Sequence, residues 1–223
     1  THYGHEWVDL GLSSGLMWAT CNVGASSPEG YGSHFAWGEV ESAESGNTKT
    51  RLGEEMANES LDISGSRAYD AARVNWSGYW RMPSYDEYEE LIRECIWRWK
   101  TLNGVQGYEV TGSNGNSIFL PAASERPGYG YYWSSYGWDF GVAYYLAFGE
   151  EFMEVSAWGD KRHGFTIRPV YSADTSDEEP VPTSDTFYRK GVLSVKGVIY
   201  PMTYVEGGVF ETNSVKERIG DYY

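Results

Sequence analysis

The sequence predicts an α+β fold: a curled antiparallel sheet late in the chain, one or two helices before it, and a short β-rich tail after it. Three observations lead there. One central segment joins a helix-start signal to a 3.6-residue apolar period. Three strand-like runs follow one another between residues 142 and 170. Aromatic residues make up 17% of the chain, with 19 Tyr, 10 Trp and 27 Gly, a composition that suits loop-rich folds and contact surfaces better than a helical bundle. A length of 223 residues allows one good core with an appendage, and not two large domains.

The elements follow in order. Residues 7–23, WVDLGLSSGLMWATCNV, hold short apolar runs split by Ser13, Ser14 and Gly15, the pattern of a hairpin. Residues 24–66 are rich in Gly, Ser, Glu and Asn and read mostly as loop, pinned by Tyr31, Phe35 and Trp37. Residues 69–74 form a short helical turn. Pro83 forbids an earlier helical start, and Ser84 followed by Glu87 is a capping box, so a helix runs from Tyr85 to about Trp99. Its buried face is Tyr88, Leu91, Ile92, Cys95 and Trp99. Strands at 107–111 and 117–120 flank the GSNGN turn, and PAASERPGYGYYWSS returns to loop. VAYYLAF, FMEVSAW and GFTIRPV are three consecutive antiparallel strands. The acidic, proline-containing stretch 172–186 buries nothing and is a linker, so the domains are 1–171 and a β-rich tail, 187–223, too short for a core of its own.

A formal charge of −15 repels phosphate backbones and anionic surfaces, which excludes nucleic acid as the main partner. No apolar run approaches the roughly 20 residues that span a bilayer, so no membrane insertion is expected. Opening at Thr1 without Met or a signal-peptide pattern, the chain reads as a trimmed, mature or recombinant segment. Cys21 and Cys95 fit no CxxC motif; they either pair in an oxidising compartment, the favoured reading, or sit as two buried small hydrophobes.

The ordered motifs WVDLGLSSGLMWATCNVGA, FAWGE, YDAARVNWSGYWRMPSYDEYEEL, NGNSIFLPAA, YYWSS and GFTIRPV, spanning residues 7–170, resemble the Fibrobacter succinogenes major paralogous domain of Bacteroidetes surface and secreted proteins. That family is similar to the formylglycine-generating-enzyme branch of C-type-lectin-like folds, where an RLPTEAEWE segment opens a helix as residues 80–84 do here, and a GFR strand closes the domain as residues 164–168 do. The same fold houses the variable proteins of diversity-generating retroelements, which display receptor-binding residues around a WSS motif. The resemblance implies a C-type-lectin-like fold and a secreted or cell-surface location. Residues 202–210 resemble the opening strands of a second such domain, cut short.

Formylglycine-generating enzymes use a late cysteine pair that binds copper, and this chain has no cysteine after Cys95, so the resemblance implies a noncatalytic protein. His2, His5, His34 and His163 are not spaced as metal ligands, and His2-x-x-His5 is at most a weak pair. Glu150, Glu151, Glu154 and Asp160 leave calcium as the one cofactor open, without the alternating acidic loop that gathers oxygen ligands. The strongest candidate is the aromatic stretch 131–170, where rings give contact area at small entropic cost and small polar residues give adaptable hydrogen bonds. Strand alternation buries about half the rings, Trp133 among them as a core anchor. It leaves Tyr136, Trp138, Asp139, Phe140, Phe152, Trp158, Asp160, Lys161 and Arg162 as exposed candidates to bind a glycan or protein ligand. The alternative is a structural or tip subunit of a surface appendage whose tail pairs by strand addition.

Overall fold

The computed structural model describes residues 1–42, 60–138 and 141–172, with backbone only at 156–158, and the backbone of the strands in 190–217. The chain divides into two compact units, Thr1–Ala173 and Asp174–Tyr223. The first is α+β, with open antiparallel sheets and two helices among the described residues. The linker expected at 172–186, beyond Ser172, lies outside the described residues, as does the 43–59 part of the loop expected at 24–66.

The N-terminal hairpin forms from β1 (Trp7–Asp9) and β2 (Met17–Ala19), paired antiparallel with Val8 opposite Trp18. Strand β3 (Leu61–Asp62) precedes α1 (Ala71–Trp76), and β4 (Trp80–Arg81) precedes α2 (Tyr85–Glu94). The Asp70 side chain caps α1 by accepting from the Arg73 N–H. Both arms of the capping box close on α2: Ser84 Oγ accepts from the Glu87 N–H at 3.2 Å and Glu87 Oε2 accepts from the Ser84 N–H at 2.7 Å.

The helix stops earlier than the apolar period predicts. Cys95 is already extended, and Ile96–Leu102 forms β5, turning through Asn103 and Gly104 into β6 (Val105–Thr111). Asn103 and Gly104 have φ of 48° and 87°, the left-handed pair that a two-residue hairpin of right-twisted strands requires. Trp99 therefore joins Trp97 on one face of a strand rather than Cys95 on a helix face, and both tryptophans meet Tyr108 edge-on, at 5.5 and 4.9 Å. Strand β7 (Ser117–Pro121) completes the three-stranded sheet β5-β6-β7.

The central sheet has the order β10-β9-β8-β3, with β8 at Gly130–Gly137, β9 at Val142–Gly149 and β10 at Phe152–Asp160. The YYWSS stretch expected as loop is thus an inner strand. Residues 164–169 do not pair as a third strand beside β10. They run between the 35 segment and β8 through isolated bridges, Phe165 with Phe35 and Thr166 with Tyr132 of β8, and end in β11 (Val170–Tyr171), which sits between β2 and β4 in the third sheet, β1-β2-β11-β4.

The central sheet is covered on both faces. Tyr132, Leu146 and Phe148 join one core with Trp18, Tyr88, Leu91, Val110 and Leu120. Trp133 and Ala143 join another with Phe35, Trp37, Trp76, Trp80 and Ile167. Arg168 lies fully buried, donating to Asn22 Oδ1 (2.8 Å), the Ala19 carbonyl (3.0 Å) and the Phe119 carbonyl (2.9 Å), and so fastens β2 and β7 to the closing segment. Burial pulls its pKa down. Cys21 and Cys95 are free thiols. The expected pairing is corrected: Cys95 ends α2 against the first core, whereas Cys21 follows β2 and meets Thr20 Oγ1 at 3.6 Å.

The second unit is β-rich, an antiparallel meander of β12 (Lys190–Val195), β13 (Val198–Val205), β14 (Val209–Glu211) and β15 (Lys216–Glu217). Among the described residues no helix is long and apolar enough to cross a membrane.

Candidate functional site

Two register irregularities shape one end of the central sheet. Between the pairs Trp133–Tyr145 and Gly137–Ala143, β8 advances four residues while β9 advances two. Between Ser156–Tyr145 and Gly159–Ala143, β10 advances three residues while β9 again advances two. Extra residues of this kind bend a strand and re-aim its side chains. Here they carry Tyr136 and Trp138 toward the α2 side, where both meet Tyr144 of β9.

The resulting surface cluster has Tyr144 at its hub. Tyr85, the first residue of α2, lies 4.8 Å away, Tyr136 5.7 Å and Trp138 6.1 Å, with interplanar angles of 63°, 60° and 81°. Tyr136 and Trp138 are 6.5 Å apart at 48°. Trp138 is 40% exposed, and the three tyrosines are half-buried. The ring of Trp138 is held by its own backbone, since its N–H donates to Val142 O (2.9 Å) and its carbonyl accepts from Lys161 Nζ (3.1 Å).

Lys161 departs from expectation. Expected on the surface, it is 1% exposed, with its ammonium 4.7 Å from the centre of the Trp37 ring. A cation can be buried this way because the ring face and the Trp138 carbonyl replace water. Its backbone is fixed as well, donating to Gly141 O and accepting from the Trp37 N–H. Lys161 is therefore a brace between the β8–β9 turn and the 35–37 segment, not a contact residue.

Asp160 and Arg162 occupy the same end of the sheet but engage each other. Arg162 Nε and Nη2 reach the two carboxylate oxygens at 3.0 and 2.6 Å, and its backbone N–H adds a third bond at 2.9 Å. The guanidinium holds the Asp160 carboxyl down to about 2. Phe152 is placed elsewhere. It stands at the β9–β10 turn, separated from Trp138 by the eight residues of β9, about 23 Å of strand, where it meets Tyr129 at 5.5 Å. Asp139, Phe140 and the Trp158 side chain lie outside the described residues.

The structure thus brings together Tyr136, Trp138, Asp160, Lys161 and Arg162 of the predicted set. It adds Tyr85, outside the expected stretch, and Tyr144, within the stretch 131–170 but not among its expected exposed residues. The capping box signals Tyr85, because it sets that residue on the first helical turn, beside solvent. Tyr144 carries no local signal, since its neighbours come from three separated segments.

The acidic residues weighed for calcium do not converge: Glu150 and Glu151 stand in the β9–β10 turn, and Asp160 at the far end of β10. Among the described residues no three His, Cys, Asp or Glu side chains gather as a metal set. His2 and His5 are spent on packing. His2 Nε2 accepts from the Tyr79 N–H (3.1 Å), and His5 stacks on Trp76 at 3.7 Å and 4°. Burial lowers the pKa of both imidazoles. No family model matches the chain, and no curated protein or solved structure matches it either.

Proposed function

We propose that the first unit is a noncatalytic binding module of a secreted or surface-displayed bacterial protein, with a C-type-lectin-like fold of the Fibrobacter succinogenes major paralogous type. The observation that carries the binding reading is the Tyr85–Tyr136–Trp138–Tyr144 cluster. Four large rings touch one another at the surface, and Trp138 stays 40% exposed although folding usually hides such area. Aromatic anchors in a polar setting are the residues that dominate protein and saccharide contacts. The fold reading is supported by the order of motifs along residues 7–170 together with the α+β arrangement of open antiparallel sheets.

The noncatalytic reading is supported by the state of Cys95, one of the two free thiols. Burial, with Glu94 and Glu90 beside it, pushes the Cys95 thiol up to about 11, which suppresses the thiolate a nucleophile or copper ligand needs. The test is a Trp138→Ala, Tyr144→Ala double variant on a glycan array and on whole cells. Loss of binding with an unchanged circular dichroism spectrum supports the assignment; unchanged binding sinks it.

A structural role has one observation of its own. Among the described residues, the second unit is an open sheet whose outer strands β12 and β15 each pair on one side only, and an unpaired edge is a template for strand addition. Truncation after Tyr171 discriminates. A full chain and a truncated product that are both monomeric remove this reading, whereas a full chain that assembles and a truncated one that does not supports it.

A further inference from the structure

The geometry of the same cluster points to its ligand class, an inference that rests on the binding reading above. A pyranose chain stacks on rings that lie flat and side by side. These rings do not: the three partners of Tyr144 meet it at 60° to 81°. Steeply inclined rings around one hub form an uneven cup rather than a flat platform, and the ring faces in it, negatively polarised where the edges are positive, attract a cation.

The charges next to the cup agree. Glu89 lies one helical turn beyond Tyr85, on the same side of α2, and it is the main reason the Tyr85 phenol is raised, with Asp86 contributing. Neither Glu89 nor Asp86 shows a hydrogen bond or ion pair among the described residues. Nearby cations are already engaged: Arg81 with Glu87, Arg93 with Glu94, Arg162 with Asp160, and Lys161 beneath Trp138. A shallow depression along α2 is lined by Ser14, Asp86, Glu87, Glu89, Glu90 and Arg93, so that Glu89 and Asp86 stand both in it and beside Tyr85. The whole protein carries −15, which steers positively charged partners toward it.

We propose that the Tyr85–Tyr136–Trp138–Tyr144 cup docks an arginine- or lysine-bearing segment of a partner protein, whose cation rests on the rings with Glu89 and Asp86 as counter-charges. The alkyl stem of such a side chain lies against Trp138, and the adjoining peptide follows the acidic depression.

The test titrates the full chain with acetyl-Gly-Arg-Gly-amide and with the isosteric neutral citrulline peptide, following tryptophan fluorescence and the Trp138 indole resonance. The expected result is saturable binding of the arginine peptide, at least about tenfold tighter than citrulline and weakened as salt rises from about 0.05 to 0.5 M. Glu89→Gln weakens it by about threefold to tenfold. Trp138→Leu abolishes it with an unchanged melting temperature. Equal binding of the two peptides, no response to salt, or full binding by Glu89→Gln overturns the proposal. If Trp138→Leu still removes cell or glycan binding while the arginine peptide shows no preference, the cation assignment fails and the binding reading stands. If Trp138→Leu changes neither, both fail.

Discussion

Asp70 offers a stability test whose size changes with pH in a direction the structure dictates. Its fully buried carboxylate accepts three backbone N–H bonds: from Arg73 (3.0 Å), from Gly65 (2.7 Å) and from Met82 (2.9 Å). It thereby joins the start of α1 to the turn after β3 and to the end of β4. Asp70→Ala removes an N-cap, at about 1 kcal/mol, and strands two more buried donors at about 2 kcal/mol each, about 5 kcal/mol in all. Burial also lifts the carboxyl from 3.8 to about 6, against the backbone bonds that lower it. Between those values the native state holds a proton that the unfolded chain has released, so the wild-type contribution is fully present below about pH 4 and is lost as pH rises through 6. The loss amounts to about 3 kcal/mol. The alanine variant has no such carboxyl and no such slope. The cost of Asp70→Ala is therefore about 5 kcal/mol at pH 4 and about 2 kcal/mol at pH 7. Urea denaturation followed by tryptophan fluorescence, run on both proteins at the two pH values, measures it. A cost that is equal at both pH values, or larger at pH 7, refutes the reasoning.

Other expectations test the frame around the site. Arg168→Met leaves the Asn22, Ala19 and Phe119 oxygens buried without their donor, at about 1 kcal/mol or more apiece, about 3 kcal/mol or more in total; a thermal melt within about 3 °C of wild type contradicts this. Ser84→Ala breaks one arm of the capping box and costs about 1 kcal/mol, lowering the melting temperature by about 2–4 °C; calorimetry checks it, and no change means the α2 start is held by packing alone. Mass measurement after alkylation under denaturing conditions without reductant finds two modified thiols, since Cys21 and Cys95 are free. In the folded protein Cys95 reacts slowly at pH 7 and faster as pH climbs toward 11; rapid native labelling of Cys95 at pH 7 counts against its half-buried placement beside Glu94 and Glu90.

Much of the frame is legible in sequence because it depends on neighbours a few residues apart. The hairpin around Ser13–Ser14–Gly15, the capping box at Ser84 and Glu87, and the turn between β6 and β7 each follow from local chemistry, and each forms. So does the burial of Trp133, which is completely enclosed. The misreadings arise where two patterns compete or where no pattern exists. Trp99 satisfies a helical period from Leu91 and Cys95 as well as a strand alternation with Trp97, and the Asn103–Gly104 turn decides for the strand. Strand β8 shows no alternation because both faces of the central sheet are covered, so its Gly and Ser content reads as loop.

The candidate site divides in the same way. Sequence alone marked an aromatic stretch late in the chain as the candidate surface and named Tyr136 and Trp138 within it. Tertiary structure decided the company those rings keep. Two register irregularities turn them toward Tyr144, and the capped start of α2 delivers Tyr85 from some fifty residues upstream. It also decided that Lys161, a residue type that ordinarily seeks water, serves as a buried brace over Trp37. Local propensity acts within one element, whereas the meeting of rings and charges from separate elements depends on strand register and layer packing.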